Sequence, residues 1–542
     1  MSKSARYTAA ALAVCAGIAI GAIATRGVAQ TPSTSVPASI QTIFDKPLYK
    51  GATWGFRVLD GSKVVIDLNS DRQLYIGSVR KVFTIGQLLN AIGPDHTYDT
   101  PVYRTGSVDR SGVLHGNLIV VASGDLTMGG RKNPDGSIAV SNWDHNEADS
   151  LGNAILTKPN PLAGYAQLAQ AVRAAGIKRV AGNVVIDDRL FAPYEFRGEF
   201  KVRPIFVNDD VVDVSIKPGG QPGALVSSSY RPVSAALEVV SRLRVSYPNS
   251  KDTLDIQSAR PQCIGTPGCS STIVGNLPSN FTPPLTGTPT LVQTVRIVQP
   301  SNYARTVFIE QLRSAGVTVT APVVQQNMTA LLPAAGSYAA ANRVATLTGM
   351  RYGQDAKLIL KISYNIGADT SLILLGVKNG VHSMDSALAY ARKDLATRWG
   401  IPANQYHFID GSGYADTTAT NGAVTKMLTG LAKSPAYQAF YDALPILGVD
   451  GSLGFVKDFE KDPTLAGAAG NVRAKTGTYV EPTGSGLMEV KGQAYGGYVT
   501  TKSGHHLTFE LTVNGVKVKD ILGITSVFQD EGTIAAILWR DY

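Results

Sequence analysis

The sequence predicts an α+β fold in which a helix-and-sheet domain is interrupted by a β-rich insertion. Three observations carry this reading. A strand pair opens the folded region, GFRVLD and KVVIDLNS around Asp60-Gly61, and a helix beginning near Ser78 follows with Val82, Phe83, Ile85, Leu88, Leu89 and Ile92 spaced along one apolar face. After Gly93-Pro94 the texture changes to short strands: LIVVAS, VAGNVVIDD, VVDVSI, RLRVSY and TLDIQS. From about Asn302 helical patterns return in YARTVFIEQLRSAGV and SYNIGADTSLILLGV. They are succeeded by a hairpin, QAYGGYVTT and HHLTFELTVN around Lys502-Ser503-Gly504, and a terminal helix in DEGTIAAILWRDY.

Within the insertion, YAQLAQAVRAAGI has helical spacing and ends in glycine, as a helix stop requires. The stretch from Met128 to Pro161 is rich in Gly, Asn, Asp and Pro without a period, and reads as an extended loop. Its Asp144, His145, Asn146 and Glu147 match no metal-ligand spacing and read as solvated loop residues, so no metal is expected. His505 and His506 read as solvent-facing turn residues. The chain has no internal repeat.

A chain of 542 residues is too long for one ordinary core, and 44% hydrophobic with 17% charged residues is a globular balance. The first thirty residues differ from the rest. MSKSAR, the uncharged run to Thr25 and the small residues ending at Ala29 form the n-region, h-region and cleavage site of a secretory signal. The apolar run is long for a signal and short for a span, so an uncleaved anchor, with membrane association through this segment, stays open beside it. Cys15 follows LAV, unlike a lipoprotein box, and reads as an apolar residue. Thr31 to Ser39 is a polar linker.

Cys263 and Cys269, in QCIGTPGCSS, flank a Gly-Pro-Gly turn in an exported chain and read as one disulfide closing a surface loop. The net charge of +9 is spread along the chain without a Lys/Arg block, which gives no sign of nucleic-acid binding and suits an anionic envelope polymer.

Three short motifs bear chemistry. Ser78 and Lys81, in GSVRKVF, share one helix face at a spacing that permits a hydrogen bond. A lysine in apolar surroundings loses basicity and becomes a base able to take the serine proton. Taken alone, the pair reads as a capped helix start with a solvent-facing lysine. Ser363 and Asn365, in SYN, offer a hydroxyl for proton relay and an amide to orient a peptide. In AKTGT, Lys475 and Gly477 lie on one side of a strand, the ammonium to meet an anion and the glycine to allow close backbone approach. The order SxxK, SxN, KTG is the signature of penicillin-recognising serine acyl transferases.

With ASGDL at Ala122, LAQAVRAAGIKRVAGNVVIDD at Leu168, DGSGY at Asp410, LPILGVDGSLG at Leu444 and RAKTGTYV at Arg473, the sequence resembles the penicillin-binding protein 4 type of D-alanyl-D-alanine carboxypeptidases, the class C low-molecular-mass penicillin-binding proteins. The resemblance covers nearly the whole exported chain. It implies a β-lactamase/transpeptidase-like domain, an antiparallel sheet flanked by helices, interrupted by two smaller β-rich inserted domains. The expected boundaries are 1–30 signal or anchor, 31–40 linker, 41–95 first part, 96–295 inserted domains with an inner insert at about 120–220, and 296–542 second part.

The resemblance also implies roles. Ser78 attacks the carbonyl between two D-alanines with Lys81 as base, Ser363 and Asn365 relay protons and hold the peptide, and Lys475 helps bind the terminal carboxylate. The backbone N–H groups of Ser78 and Thr478 form the oxyanion hole, and Thr476, Gly477 and Thr478 contact substrate. Peptidoglycan stem peptides are the substrates, β-lactams acylate the same serine, and no cofactor is expected. Periplasm or cell envelope is the expected location.

Two departures bear on specificity. Leu126 stands where relatives often have Pro after SGD and is expected to alter only a turn. Asp416 and Thr418 stand where relatives carry Arg and Asn, and an acid there disfavours a free carboxylate on the substrate. Asp187 and Asp188, ending NVVIDD, read either as contacts for a substrate amine or as turn formers. A β-lactamase or esterase on the same fold, a D,D-endopeptidase, and a non-hydrolytic wall-binding scaffold are the alternatives. No carboxylate is visibly placed to activate a deacylating water.

Overall fold

The β-strands Thr53–Asp60 and Lys63–Leu68 pair across the expected Asp60-Gly61 turn, and Gly61 supplies the positive φ of 59° that the turn needs. They form one edge of an antiparallel sheet that continues through His506–Asn514, Met488–Thr500 and Val472–Pro482. The two ends of the chain therefore share one sheet, with Phe56 opposite Leu511 and Lys475 opposite Gly496. The computed structural model describes residues 35–484 and 486–542, all within one unit spanning Thr34–Tyr542. The signal or anchor reading of residues 1–30 lies outside the described residues.

The central strands are buried on both faces, which explains their near-continuous apolar character. Against one face packs the terminal helix Ile521–Asp541, whose Val527, Ile534 and Leu538 share one buried core with Phe56, Val58 and Leu511. By length and composition this helix could cross a membrane, with a mean hydropathy of 1.3, but its apolar side is the cover of the sheet. Against the other face lie the helices Arg80–Ile92 and Asn421–Leu431. Every residue from Arg80 to Leu89 is buried, so the helix that begins at the SxxK motif is the central helix of the domain.

The fold class is the one the sequence predicts, with two adjustments. The linker is shorter than 31–40, because Ala38–Phe44 is helical, buries Ile40 and stacks Phe44 on Trp54 at 4.3 Å. The expected boundary at 296 also moves. Helix Pro300–Ser314 packs on the inserted strand Val184–Asp187, and strand Arg343–Arg351 pairs antiparallel with Thr97–Arg104. Residues 300–351 thus belong by pairing with the insertion, and the catalytic-domain helices resume at Tyr352–Ile362. Val211–Lys217, at the end of the expected inner range of about 120–220, makes one sheet with Ser227–Arg231 and Leu291–Arg296, and Glu238–Ser241, Asp255–Gln257 and Ser270–Val274 make another.

Cys263 and Cys269 are bonded as expected, across the turn containing Gly265 and Gly268. Leu126 does more than alter a turn: it is buried in the core, while Asp125 before it accepts the backbone N–H groups of Thr127 and Met128. His505 and His506 are exposed at the hairpin end.

Candidate active site

Ser78 sits in a 3₁₀ turn, Gly77–Val79, that leads directly into helix Arg80–Ile92. The turn is pressed between two glycine-bearing segments. A Cβ on Gly477 would stand 1.9 Å from the Ile76 carbonyl oxygen and 2.9 Å from the Val79 nitrogen, and one on Gly413 would stand 2.1 Å from the Gly77 oxygen. A Cβ on Gly77 would meet the Thr478 nitrogen at 2.8 Å. Only hydrogen fits at these crossings, and the Thr478 amide is brought beside the Gly77-Ser78 turn.

Lys81, fully buried, lies 2.8 Å from Ser78 Oγ and donates to Asn365 Oδ1 at 2.7 Å and to the Ser412 carbonyl at 2.7 Å. Two of these three partners are pure acceptors. A neutral amine has two N–H bonds, which those acceptors use, and its lone pair is then left for the Ser78 hydroxyl. Burial, reinforced by the Arg197 charge and opposed by Glu147, Asp410 and Asp369, brings the Lys81 pKa down to about 7. A base is thereby available near neutrality, in hydrogen-bond contact with the hydroxyl.

Ser363 ends the helix Tyr352–Ile362 at a left-handed φ of 61°, and Asn365 begins the helix Asn365–Lys378. A non-glycine residue held there is strained by about 1–2 kcal/mol. The break turns both side chains of the SxN motif toward Lys81 and Lys475. Lys475 Nζ donates to Ser363 Oγ at 3.1 Å and to the Thr476 carbonyl at 2.7 Å. It is buried, not the exposed lysine of a bland strand end, and burial together with the nearby Lys81 charge lowers its pKa well below the usual lysine range.

The DGSGY stretch is a tight loop folded on Asp410, whose Oδ1 accepts the N–H groups of Ser412 at 3.0 Å and Gly413 at 2.7 Å. Arg80 donates to the Asp410 carbonyl at 3.0 Å and lies over the Phe408 ring, and Thr84 donates to the Gly411 carbonyl at 2.6 Å. The first turn of the nucleophile helix thus fixes the loop whose Ser412 carbonyl holds Lys81.

A cleft of about 820 Å³ opens on these groups, lined by Ser78, Ser363, Asn365, Thr476 and Thr478 and by Glu147, Arg197, Tyr414, Ser452 and Phe455. Thr476 exchanges a hydrogen bond with Ser452 at 2.7 Å, and Thr478 donates to Gln493 at 2.8 Å. All three motifs therefore meet in one place. The other expected contacts do not. Asp187 is held by Arg189 at 2.7 Å and by Tyr338, and Asp188 by Arg203 at 2.8 Å and Ser301 at 2.5 Å, away from the cleft lining. Asp416 is exposed and also outside the lining, although Tyr414 and Ala415 before it are part of it.

The reading of residues 144–147 as a solvated loop is overturned. Asp144 and His145 are buried, with Arg131 bonded to both Asp144 oxygens at 2.8 and 2.7 Å and to Asp209. His145 sits between Asp213 at 2.6 Å and Asp209 at 3.0 Å. Asp144, His145 and Asp209 are close enough to resemble a metal-ligand set, but the Arg131 guanidinium already lies among them and neutralises the carboxylates. Glu147, at the end of the 3₁₀ turn His145–Glu147, reaches the cleft, where its Oε1 accepts from Asn365 Nδ2 at 3.4 Å. Arg197 and Ser452 escaped the sequence reading, and Glu147 entered it only as a solvated loop residue. Ser452 alone had a signal, the LPILGVDGSLG stretch.

The fold and its grouped motifs define a serine enzyme of the β-lactamase and transpeptidase-like class. A model of the D-Ala-D-Ala carboxypeptidase 3 (S13) family matches residues 36–527, and the chain belongs to that family. It is similar to a D-alanyl-D-alanine carboxypeptidase of Actinomadura sp. (strain R39), 24% identical over 514 residues, covering 89% of this chain and 81% of that one. Its fold is similar to that of penicillin binding protein 4 (dacB) from Haemophilus influenzae, with a TM-score of 0.66, 18% identity and coverage of 93% of this chain and 100% of that one. The same Haemophilus protein complexed with a novel β-lactam gives a TM-score of 0.63 at 19% identity, covering 93% and 99% of the two chains.

Proposed function

We propose that the chain is an exported serine-type D-Ala-D-Ala carboxypeptidase that removes the terminal D-alanine of peptidoglycan stem peptides through an ester on Ser78. The observation that carries this is the contact of a buried, weakly basic Lys81 with Ser78 Oγ at 2.8 Å. Lys81 takes the hydroxyl proton as Oγ attacks the carbonyl between the two D-alanines. The backbone N–H groups of Ser78 and Thr478 receive the developing oxyanion, each such donor being worth about 3–4 kcal/mol in the transition state. Lys81, assisted by Ser363, passes the proton to the leaving nitrogen. Lys475 meets the D-alanine carboxylate, with Thr476 and Thr478 beside it, and Asn365 holds the peptide amide.

β-Lactams, whose strained amide presents the same carbonyl, acylate Ser78 in this reading; the similar Haemophilus protein has been solved in complex with a β-lactam. A cleft of about 820 Å³ has room for a leaving group larger than one alanine, which supports D,D-endopeptidase action on D-alanyl cross-links as a second reading. The test is D-alanine release from an acyl-D-Ala-D-Ala peptide by the exported part of the chain, with Ser78→Ala alongside. Release by the wild type and none by the variant is expected. Release that persists in Ser78→Ala contradicts the assignment.

A further inference from the structure

The hydrolytic half of such a reaction needs a base for water, and Lys81 lies against the esterified oxygen once Ser78 is acylated. Among the described residues three carboxylates line the cleft: Asp144 is held by Arg131, Asp520 caps the helix Ile521–Asp541, and Glu147 reaches toward the motifs. Glu147 Oε1 accepts from Asn365 Nδ2 at 3.4 Å, Asn365 Oδ1 accepts from Lys81 at 2.7 Å, and Lys81 stands 2.8 Å from Ser78 Oγ. One amide thus joins the carboxylate to the nucleophile and its base. Among the described residues no hydrogen-bond donor reaches Glu147 Oε2, which leaves it for water in a cleft that Ser78 also lines.

Glu147 is also held in place. Asp144 caps its turn by accepting from the Asn146 N–H, and Asp144 is itself clamped by both terminal nitrogens of Arg131. His145, two residues before Glu147, is fixed between Asp209 and Asp213. A carboxylate on an otherwise irregular loop thereby gains the rigidity that a catalytic group requires.

We infer that Glu147 is a catalytic residue of the known reaction, the general base that activates the water which cleaves the Ser78 ester. This rests on the proposed acylation of Ser78. Glu147 takes a proton as the water oxygen bonds to the acyl carbonyl carbon. The carbon–Oγ bond then breaks with its electron pair staying on Oγ, and the proton held by Glu147 returns to Oγ through a solvent water and the Lys81 amine. The new carboxylic acid ionises to solvent. No further reactant is needed.

The charges around Glu147 suit the role. Burial raises its pKa, while Arg197 from the loop above, Lys81 on the nucleophile helix and Lys475 on the KTG strand favour the ionised form, and Asp144 on its own segment opposes it. The carboxylate is therefore a stronger base than an exposed one, yet keeps the Arg197 guanidinium to stabilise its charge.

The test uses the exported chain, Glu147→Gln and Glu147→Asp, with an N-acetyl-D-alanyl thioester as acyl donor. Intact-protein mass spectrometry during turnover reads the acylated fraction, and fluorescent penicillin labelling of the same preparations reads the reactivity of Ser78. The inference predicts that Glu147→Gln takes the penicillin label, accumulates the acyl adduct and turns over at least tenfold more slowly, as loss of a general base implies. Glu147→Asp, which keeps a carboxylate, falls between the two. Wild-type turnover declines as pH falls below the raised Glu147 pKa, and that limb disappears in Glu147→Gln. Turnover of Glu147→Gln within twofold of the wild type overturns the inference. So does slow turnover without accumulated adduct, which would place Glu147 before the ester. A wild type that takes neither label nor adduct overturns the Ser78 reading and this inference together.

Discussion

Gly477 and Ile76 meet with no room between them: a Cβ on the glycine would stand 1.9 Å from the isoleucine carbonyl oxygen. The contact presses the KTG strand against the turn that carries Ser78, so the glycine sets the distance between Ser78 and the Thr478 backbone proposed to bind the oxyanion. Gly477→Ala must part the two segments, because the obstructing atom is backbone. Overpacking of this kind costs about 1–3 kcal/mol, and a shift of even an ångström costs about 10²-fold in rate. The variant is expected to fold with a lowered Tm and to label with fluorescent penicillin at least 10²-fold more slowly. Labelling at the wild-type rate contradicts the role.

The Lys81 pKa of about 7 makes a second prediction. Its burial favours the neutral amine, which is the form that takes the Ser78 proton in the proposed reaction. Acylation is expected to fall about tenfold per pH unit below that value and to level off above it. Lys81→Gln removes the base, slows acylation by about 10²–10⁴-fold on the plateau above neutrality, and flattens the profile below it. Stopped-flow acylation by a chromogenic β-lactam between pH 5 and 9 checks both; a flat profile in the wild type contradicts them.

The buried Arg131 network predicts a stability effect. Arg131→Met leaves Asp144 and Asp209 buried without the guanidinium that bonds both, with only His145 to offset their charge, and costs about 3–5 kcal/mol, read by denaturant unfolding.

The same network sets a pH window. Burial opposes ionisation of Asp209, but Arg131 and His145 overcome it and hold the carboxyl below the usual range, so its contribution is present above about pH 4 and is lost as pH falls further. For His145, burial is outweighed by Asp213 and Asp144, with added hydrogen bonds to Asp209 and Asp213, and its pKa is pushed up to about 10. Its contribution is complete below about pH 6.5 and is lost as pH rises to about 10. His145→Gln should therefore cost more stability at pH 5.5 than at pH 9.5; an equal cost contradicts the linkage.

Asp187 and Asp188 are predicted to be structural, since Arg189 and Tyr338 occupy both Asp187 oxygens and Arg203 and Ser301 both donate to Asp188 Oδ2. Asp188→Asn is expected to lower Tm while KM for an acyl-D-Ala-D-Ala peptide stays within twofold. A severalfold rise in KM at unchanged Tm would return it to the site.

Much of the fold was legible because its elements carry local signals. The alternation in GFRVLD and KVVIDLNS and the apolar spacing after Ser78 are properties of contiguous residues. Ser78, Lys81, Ser363, Asn365 and Lys475 were legible as a set because each motif supplies a distinct chemical group. The pairing of Arg343–Arg351 with Thr97–Arg104, which crosses the expected boundary at 296, spans most of the insertion and leaves no local trace. Residues 144–147 were misread for a related reason. Polar residues without a period look solvated, and only the fold reveals that Arg131, Asp209 and Asp213 arrive from elsewhere to satisfy them. That error concealed Glu147.

The central claim is that Ser78 is the acylated nucleophile. The most direct measurement is the intact mass of the exported chain after exposure to benzylpenicillin, followed by peptide mapping. One added penicilloyl group, on the peptide containing Ser78 and absent from Ser78→Ala, is the predicted result. An unmodified wild type, or an adduct on any other residue, would contradict it.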